Sequence, residues 1–334
     1  MNSHLRTIFS LTIGLLATTS QPLLAQESGQ GEFLKLQREI DPDDGWQRWV
    51  AFSPDGKSVA SCGDRLVQMY DVRTGRRMRQ FRGSSDMKRL AFSPEGKWIA
   101  TAGGDSTVHV WNVATSEVIA VLQHDDKIIG VSFSADGRWL ASTGRQPKDG
   151  TIRVWDCSTW KEVARAKMPQ YKNSMFVAFS PDGKTVVGSG YRGGVRGYSF
   201  DGRSLTQKFT RRHDGGEMVP HVVFARDGKS FITSGWDKTL RAWDTKNGKE
   251  IWRASAPKYA RCFEAAAFSP DGKTIYCVTR DETIQSRDAK TGKLRRSFRY
   301  QDQTRGLAVH PEGHLLATVG HRGKIKLWRI LEAD

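Results

Sequence analysis

Seven times along the chain one short segment returns: FSPDGK (52–57), FSPEGK (92–97), FSADGR (133–138), FSPDGK (179–184), FARDGK (224–229), FSPDGK (268–273) and VHPEGH (309–314). Its glycines are Gly56, Gly96, Gly137, Gly183, Gly228, Gly272 and Gly313, at intervals of 40, 41, 46, 45, 44 and 41 residues. A period of this size means repeated supersecondary units that cannot cover their own apolar faces and must stack on neighbours. The 334 residues would suffice for two ordinary domains, but a closed all-β architecture uses such a length as one.

Each segment has the chemistry of a tight hairpin. Proline pre-sets the first corner, Asp or Glu favours a turn over a continued strand, and Gly supplies the positive φ that closes it. A β-branched residue in place of such a Gly costs on the order of 1–2 kcal/mol from left-handed strain. Before the turns, large and small apolar residues alternate, as in Val50-Ala51-Phe52, Leu90-Ala91-Phe92 and Val177-Ala178-Phe179. Period two predicts strands with one bulky buried face and one of close approach. After each turn come a second strand (WIATAG, 98–103; WLASTG, 139–144), a polar loop, a third strand (TVHVWN, 107–112; TIRVWD, 151–156; TLRAWD, 239–244) and a fourth (TGRRMRQF, 74–81; NGKEIWRA, 247–254). Four antiparallel strands per unit are expected.

With Trp155-Asp156 and Trp243-Asp244 ending third strands, the chain resembles the WD40-repeat family of β-propellers over roughly residues 32–331. The resemblance implies an all-β, seven-bladed β-propeller of four-stranded antiparallel blades, one for each turn in chain order. It also implies a His, Ser/Thr, Asp, Trp hydrogen-bonding set within a blade. Blade 3 matches as His124, Ser142, Asp149 and Trp155; blade 2 matches in part as Thr101, Asp105 and Trp111, and blade 5 as Thr233, Asp237 and Trp243. The set resembles a Ser-His-Asp triad in composition, but catalytic groups are not built several times around a ring, and the chain has no G-x-S-x-G nucleophile turn. Elsewhere the pattern lapses: Tyr70, Tyr198 and Arg287 take the Trp position, Arg192 and Arg322 the Asp position, and Gly188 and Thr318 the Ser/Thr position. Blades 4, 6 and 7 are therefore expected to rely mainly on packing.

The last repeat stops after a third strand near Trp328-Arg329-Ile330-Leu331. GEFLKLQR (31–38) reads as a fourth strand without a blade of its own. Its pairing with 324–331 would close the ring and remove an open sheet edge. Ahead of it, residues 1–25 carry a single cation, Arg6, then an apolar stretch and small residues ending at Ala25. They read as a secretory signal peptide before a single domain at 26–334. An exported, bacterial-type protein is expected, periplasmic or extracellular, with no stable membrane span in the mature chain.

Formal net charge is +16, which favours anionic partners and discourages self-association, so a monomer is expected. Much of that charge falls on fourth strands (Arg76, Arg77, Arg79; Lys161, Arg165; Lys293, Arg295, Arg296), where it discourages edge pairing. Cys62, Cys157, Cys262 and Cys277 have no metal-ligand spacing and read as small buried hydrophobes, with a disulfide as the alternative in an exported chain. The histidines are scattered over different blades, and HPEGH (310–314) sits on a turn rather than a helix. Neither a metal nor a cofactor is expected.

Variation lies on the face formed by the strand-2 to strand-3 loops and the links between blades. There Tyr191, Trp236, Arg280 and His321 form an arc over blades 4 to 7, and Trp46, Arg48, Arg89 and Arg305 lie near the channel mouth. Aromatic residues interleaved with Arg suit a protein loop or a planar anionic group, although each could equally seal contacts between blades. Three function classes follow: a non-enzymatic scaffold for a protein partner, an electrostatic binder of an anionic polymer (polysaccharide or nucleic acid), and a propeller enzyme of the quinoprotein or lyase kind. The scaffold is the reading the resemblance implies most directly.

Overall fold

The computed structural model describes residues 33–42, 45–145, 148–168, 174–300 and 302–331, all within one compact unit spanning 31–334. The segment read as a signal peptide lies outside the described residues. Among those described there are seven four-stranded antiparallel sheets, six following chain order and the seventh taking its outer strand from Leu34–Ile40, and the only helical pieces are short 3-10 turns at Tyr191–Gly193 and Asp214–Gly216. Blade 3 is representative, with strands Ile128–Phe133, Trp139–Gly144, Thr151–Asp156 and Lys161–Lys167. The first strand of every blade lies innermost and meets the first strands of both neighbours. The contact of Trp49–Phe52 (blade 1) with Thr304–Val309 (blade 7) completes the circle. The chain is a seven-bladed propeller.

The hairpin segments explain why every blade turns at the same place. In the first, Gly56 has φ +69° and donates its N–H to the Ser53 carbonyl at 2.9 Å. Ser53 Oγ donates to Asp55 Oδ1 at 2.6 Å and accepts from Ser58 N at 3.0 Å, while Lys57 N donates to Asp55 Oδ1 at 3.1 Å. The serine therefore clamps both ends of the turn. At Gly183 (φ +68°) an added Cβ would meet nothing within 4 Å, so there glycine is needed for its conformation alone.

The apolar cores lie between blades. One joins Val50, Phe52 and Val59 of blade 1 to Leu315, Val319 and Leu327 of blade 7; another joins Ile152 and Val154 of blade 3 to Val177, Val186 and Tyr198 of blade 4. This is the shared burial the repeat period demands. Ring closure is as expected: Leu34–Ile40 pairs antiparallel with Ile325–Ile330, Leu34 opposite Ile330 and Ile40 opposite Ile325, with a bulge between Leu36 and Arg38. Phe33, Leu34 and Ile40 are buried, while Leu36 stays 46% exposed.

One expectation is revised. Blade 6 does not rely mainly on packing: Arg287, buried where a Trp was expected, donates to Gln285 Oε1 at 2.8 and 3.0 Å, the Gly292 carbonyl at 3.0 Å and the Ser255 carbonyl of blade 5 at 3.1 Å. A guanidinium thus replaces the indole and ties two blades. The outer strand of blade 2, Val118–Gln123, carries no charge and exposes Val118, Ile119 and Val121. Blade 4 conforms, since a Cβ at Gly188 would collide with Ile152 Cδ1 (2.6 Å) and Met168 Sδ (2.8 Å) of blade 3. Among the described residues the four cysteines are free and buried. Burial pushes the thiols of Cys62, Cys157 and Cys262 up to about 12.

Candidate functional site

The polar sets resolve into structural networks. In blade 3, His124 Nδ1 meets Asp149 Oδ2 at 2.7 Å and Nε2 meets Ser142 Oγ at 2.7 Å, while the Trp155 indole donates to Ser142 Oγ at 2.8 Å. Burial pushes the His124 imidazole below its ordinary pKa against the pull of Asp149. Burial alone would raise the Asp149 carboxyl, but hydrogen bonds from His124 and Thr151 override it and hold it well below the carboxylate range. Ser142 is fully buried, so it can close a network but cannot meet a substrate.

Blade 5 repeats this arrangement with a member the sequence reading missed. His213 meets Asp237 Oδ1 at 3.1 Å and Thr233 Oγ1 at 2.7 Å, and the Trp243 indole donates to Thr233 Oγ1 at 2.7 Å. The missed signal was the His-Asp pair at 124–125, repeated at 213–214. Two further residues were overlooked. Arg153 donates to Asp125 at 2.5 Å and Asp149 at 3.1 Å; Arg241 donates to Asp214 at 2.9 Å and Asp237 at 2.8 Å. Both arginines are buried and stand in the same place in TIRVWD and TLRAWD. In blade 2, the Trp111 indole donates to Thr101 Oγ1 at 3.1 Å, and Asp105 accepts from Thr107 Oγ1 at 2.7 Å.

His310, Glu312 and His314 bring potential ligand atoms within 4.8 Å of one another. Both His310 nitrogens are occupied, Nε2 on the Gly56 carbonyl at 3.0 Å and Nδ1 accepting from Glu312 N at 3.1 Å. Binding a cation there would first break the hairpin.

The mouth of the channel gathers most of the expected docking residues. The rings of Trp46 and His321 meet edge-on at 4.7 Å, and Arg305 Nε donates to His321 Nε2 at 3.2 Å. Burial, then Arg305, Arg280 and Arg48, push the His321 imidazole below its ordinary pKa. The Arg280 guanidinium lies 5.2 Å from the Trp236 ring centre and 3.5 Å from Glu264. Arg48 forks onto Asp86 at 2.8 and 3.1 Å, and Lys88 joins the same carboxylate. Arg89 lies over Trp49 at 4.3 Å and near Phe176 at 5.2 Å, and Trp49, Phe176 and His221 pack together at 4.4–5.5 Å. These three buried rings, from blades 1, 4 and 5, form a floor beneath the cations. Tyr191 does not join the group: it stands on its 3-10 turn, and among the described residues no ring contact ties it to the others.

Comparison with known proteins bears on the family and the setting. The family model "WD domain, G-beta repeat" matches residues 35–71, 75–112 and 116–156. "Outer membrane protein assembly factor BamB" matches residues 148–325, slightly more than half of the chain. The chain is similar to the target of rapamycin complex subunit wat1 of Schizosaccharomyces pombe, 24% identical over 63% of this chain and 68% of the relative. It is 25% identical to the periodic tryptophan protein 2 homolog of Dictyostelium discoideum over 73% of this chain and 25% of the relative. With the U3 small nucleolar RNA-associated protein 15 homolog of Xenopus tropicalis it shares 26% identity over 67% of this chain and 42% of the relative. It thus spans about two thirds of the first relative and less than half of the other two. These eukaryotic relatives, named for a target of rapamycin complex and a small nucleolar RNA, point away from export. They correct the expectation of a periplasmic or extracellular protein and lend no support to a bacterial-type one. No helix among the described residues is long and apolar enough to cross a membrane. With seven closed four-stranded blades and WD40 matches over the first three, the chain belongs to the WD40-repeat β-propellers, and over residues 148–325 to the family of the second model.

Proposed function

We propose that the chain is a non-enzymatic scaffold that docks protein partners on the face around the channel mouth. One observation carries the reading: Trp46, His321, Arg305, Arg280 and Trp236 group at the mouth, with Trp46 half exposed. Aromatic and Arg anchors around a central depression are the residue types that dominate protein interfaces. The polar sets that resemble catalytic triads are spent on holding blades together, which supports a role without catalysis. One relative is named as a complex subunit, which suits a partner-holding role here too. A chain of this charge works as a monomer that gathers others rather than as a self-assembling ring.

The test is capture from a lysate of the cells that make the protein, comparing wild type with a variant carrying Tyr191→Ala, Trp236→Ala, Arg280→Ala and His321→Ala. The scaffold reading expects discrete proteins that survive high salt and are lost in the variant; capture that is unchanged in the variant removes this face from the account. The formal charge of +16 favours a second reading, a salt-sensitive binder of an anionic polymer. It expects capture that falls steeply as salt rises.

A further inference from the structure

We infer that the outer strand of blade 2, Val118–Gln123, takes up an extended segment of a protein partner, apolar in its middle and acidic at its ends, as a fifth strand on the four-stranded sheet. This surface lies on the rim of the ring and stands independently of the channel mouth. The first ground is the backbone. Among the described residues no strand pairs with the outer side of Val118–Gln123. On its inner side, Leu122 lies opposite Val108 and Val121 opposite His109, and one step further His124 N donates to the Ser106 carbonyl at 2.8 Å. Bonded positions alternate along an antiparallel pair, so Leu122 bonds inward, and the main-chain groups of Val121 and Gln123 point away from the sheet. Such a row is a template for a further strand.

The second ground is side-chain chemistry. Each of the other six outer strands carries a cation, for example Lys35, Arg79, Lys161, Lys208, Arg253 and Arg295. Charge of this kind blocks edge pairing, because an added strand would bury it. VIAVLQ has no charged residue and leaves Val118 44%, Ile119 38% and Val121 54% exposed. Leu122 anchors the strand in the core shared with Ile128 and Leu140 of blade 3, so the edge is held firmly while its outer side stays bare.

The flanks select the occupant. Phe81 of the blade 1 outer strand packs on Trp111, the residue opposite Val118, which brings the exposed Arg77, Arg79 and Arg82 to one side of the edge. On the other side, Trp160 of blade 3 meets Trp98 of blade 2 at 5.1 Å, beside the strand that carries Lys161, Arg165 and Lys167. Against these six cations stand four acids, Glu162 in that strand and Glu117, Asp125 and Asp126 in the adjoining turns; Glu162 is tied to Arg165 and Asp125 to Arg153. A second copy would set two such flanks against each other, each from a chain of formal charge +16. A partner segment with acidic ends meets them with opposite charge and leaves its apolar middle for the bare edge.

The experiment is fluorescence anisotropy with full-length protein and a labelled, end-blocked nonapeptide of alternating Val and Thr with two Glu at each end. We expect binding that weakens at least tenfold when the peptide's backbone amides are N-methylated, and likewise when Lys replaces its Glu. Ile119→Lys with Val121→Lys gives this edge the charge the other outer strands carry, at exposed positions that tolerate it, and should also weaken binding at least tenfold. The mouth variant carrying Tyr191→Ala, Trp236→Ala, Arg280→Ala and His321→Ala should bind within about twofold of wild type. In wild type, hydrogen exchange should be fast at Val121 and Gln123 in the free protein and slow with the peptide bound. No binding, binding that survives N-methylation or the two lysines, or binding lost in the mouth variant would each overturn the inference. So would slow exchange at Val121 and Gln123 without peptide: slow only at high protein concentration, it names a second copy as the occupant, and slow at every concentration, a segment of the chain itself.

Discussion

Arg153 and Arg241 show why similar polar sets differ in weight. In blade 3, Asp149 is fully buried and serves His124, Thr151 and Arg153 together. Asp149→Ala leaves the buried His124 imidazole without its carboxylate and removes the one fully buried carboxylate from the buried Arg153, so it should cost about 3 kcal/mol of unfolding free energy. Asp105 in blade 2 is only half-buried and its carboxylate serves Ser84 and Thr107 alone, so Asp105→Ala should cost about 1 kcal/mol. Paired chemical denaturation curves check both, and equal costs would contradict the hierarchy. His221 gives a pH signature. Burial, then Arg89, bring its imidazole from 6.5 to about 3, and it faces Trp49, Phe176 and Arg89 while accepting from Ala266 N. The unfolded chain takes up this proton below about pH 6.5 and the folded chain only near 3. His221 therefore contributes stability that is fully present above 6.5 and drains away as pH falls through that window. His221→Phe should flatten the slope of stability against pH between 6.5 and 4; an unchanged slope would mean that the imidazole is solvated. Trp155, Ser142, Asp149 and His124 were legible in the sequence because their spacing matches one family pattern. Arg153 and Arg241 were not, because an Arg alternating within a strand looks the same whether it faces solvent or a buried carboxylate.

At the scale of the strand, the turns and the closing segment were readable, and side-chain exposure within the closing segment was not. GEFLKLQR reads as an outer strand, and Phe33 and Leu34 are buried as such a strand requires. The bulge after Leu36 is invisible in the alternation, and so is the fate of Leu36 as an exposed residue. Leu34→Ala should lower stability by about 3 kcal/mol, whereas Leu36→Ala should stay within about 0.5 kcal/mol. Thermal unfolding of the two variants separates them, and comparable losses would mean that the strand sits in another register. The seven hairpins were legible down to their glycines because positive φ leaves few alternatives. The serine clamp, Ser53 with Asp55 and its equivalents Ser134, Ser180 and Ser269, was hidden in plain view, since Ser before Pro is also an ordinary turn residue. The blade 6 substitution of Arg287 for Trp was seen as a gap, but its replacement network uses backbone carbonyls of two blades, which no residue spacing reports.

Taken as a whole molecule, the ring brings together side chains far apart in sequence. Trp46 and His321 are 275 positions apart yet touch ring to ring at 4.7 Å, because Leu34–Ile40 completes blade 7 by pairing with Ile325–Ile330 and Trp49–Phe52 of blade 1 packs on Thr304–Val309 of blade 7. The residues that line the mouth were legible as a list, since loop positions follow from the repeat. That they surround a closed floor, and that Tyr191 stands apart, depends on ring curvature and side-chain reach, which no local pattern encodes. The setting was misread because an apolar start and small residues describe a type of segment, whereas relatives describe where proteins of this kind work. Hydrogen exchange followed by mass spectrometry tests the closed ring, on which the site depends, most directly. The amides of residues 34–40 should exchange as slowly as those of 325–330 and in step with them, both slowing only to the limit set by global unfolding. Fast exchange of 34–40 while the strands of blades 1 to 6 remain protected would mean that the ring is open at blade 7 and that its ends do not assemble the mouth.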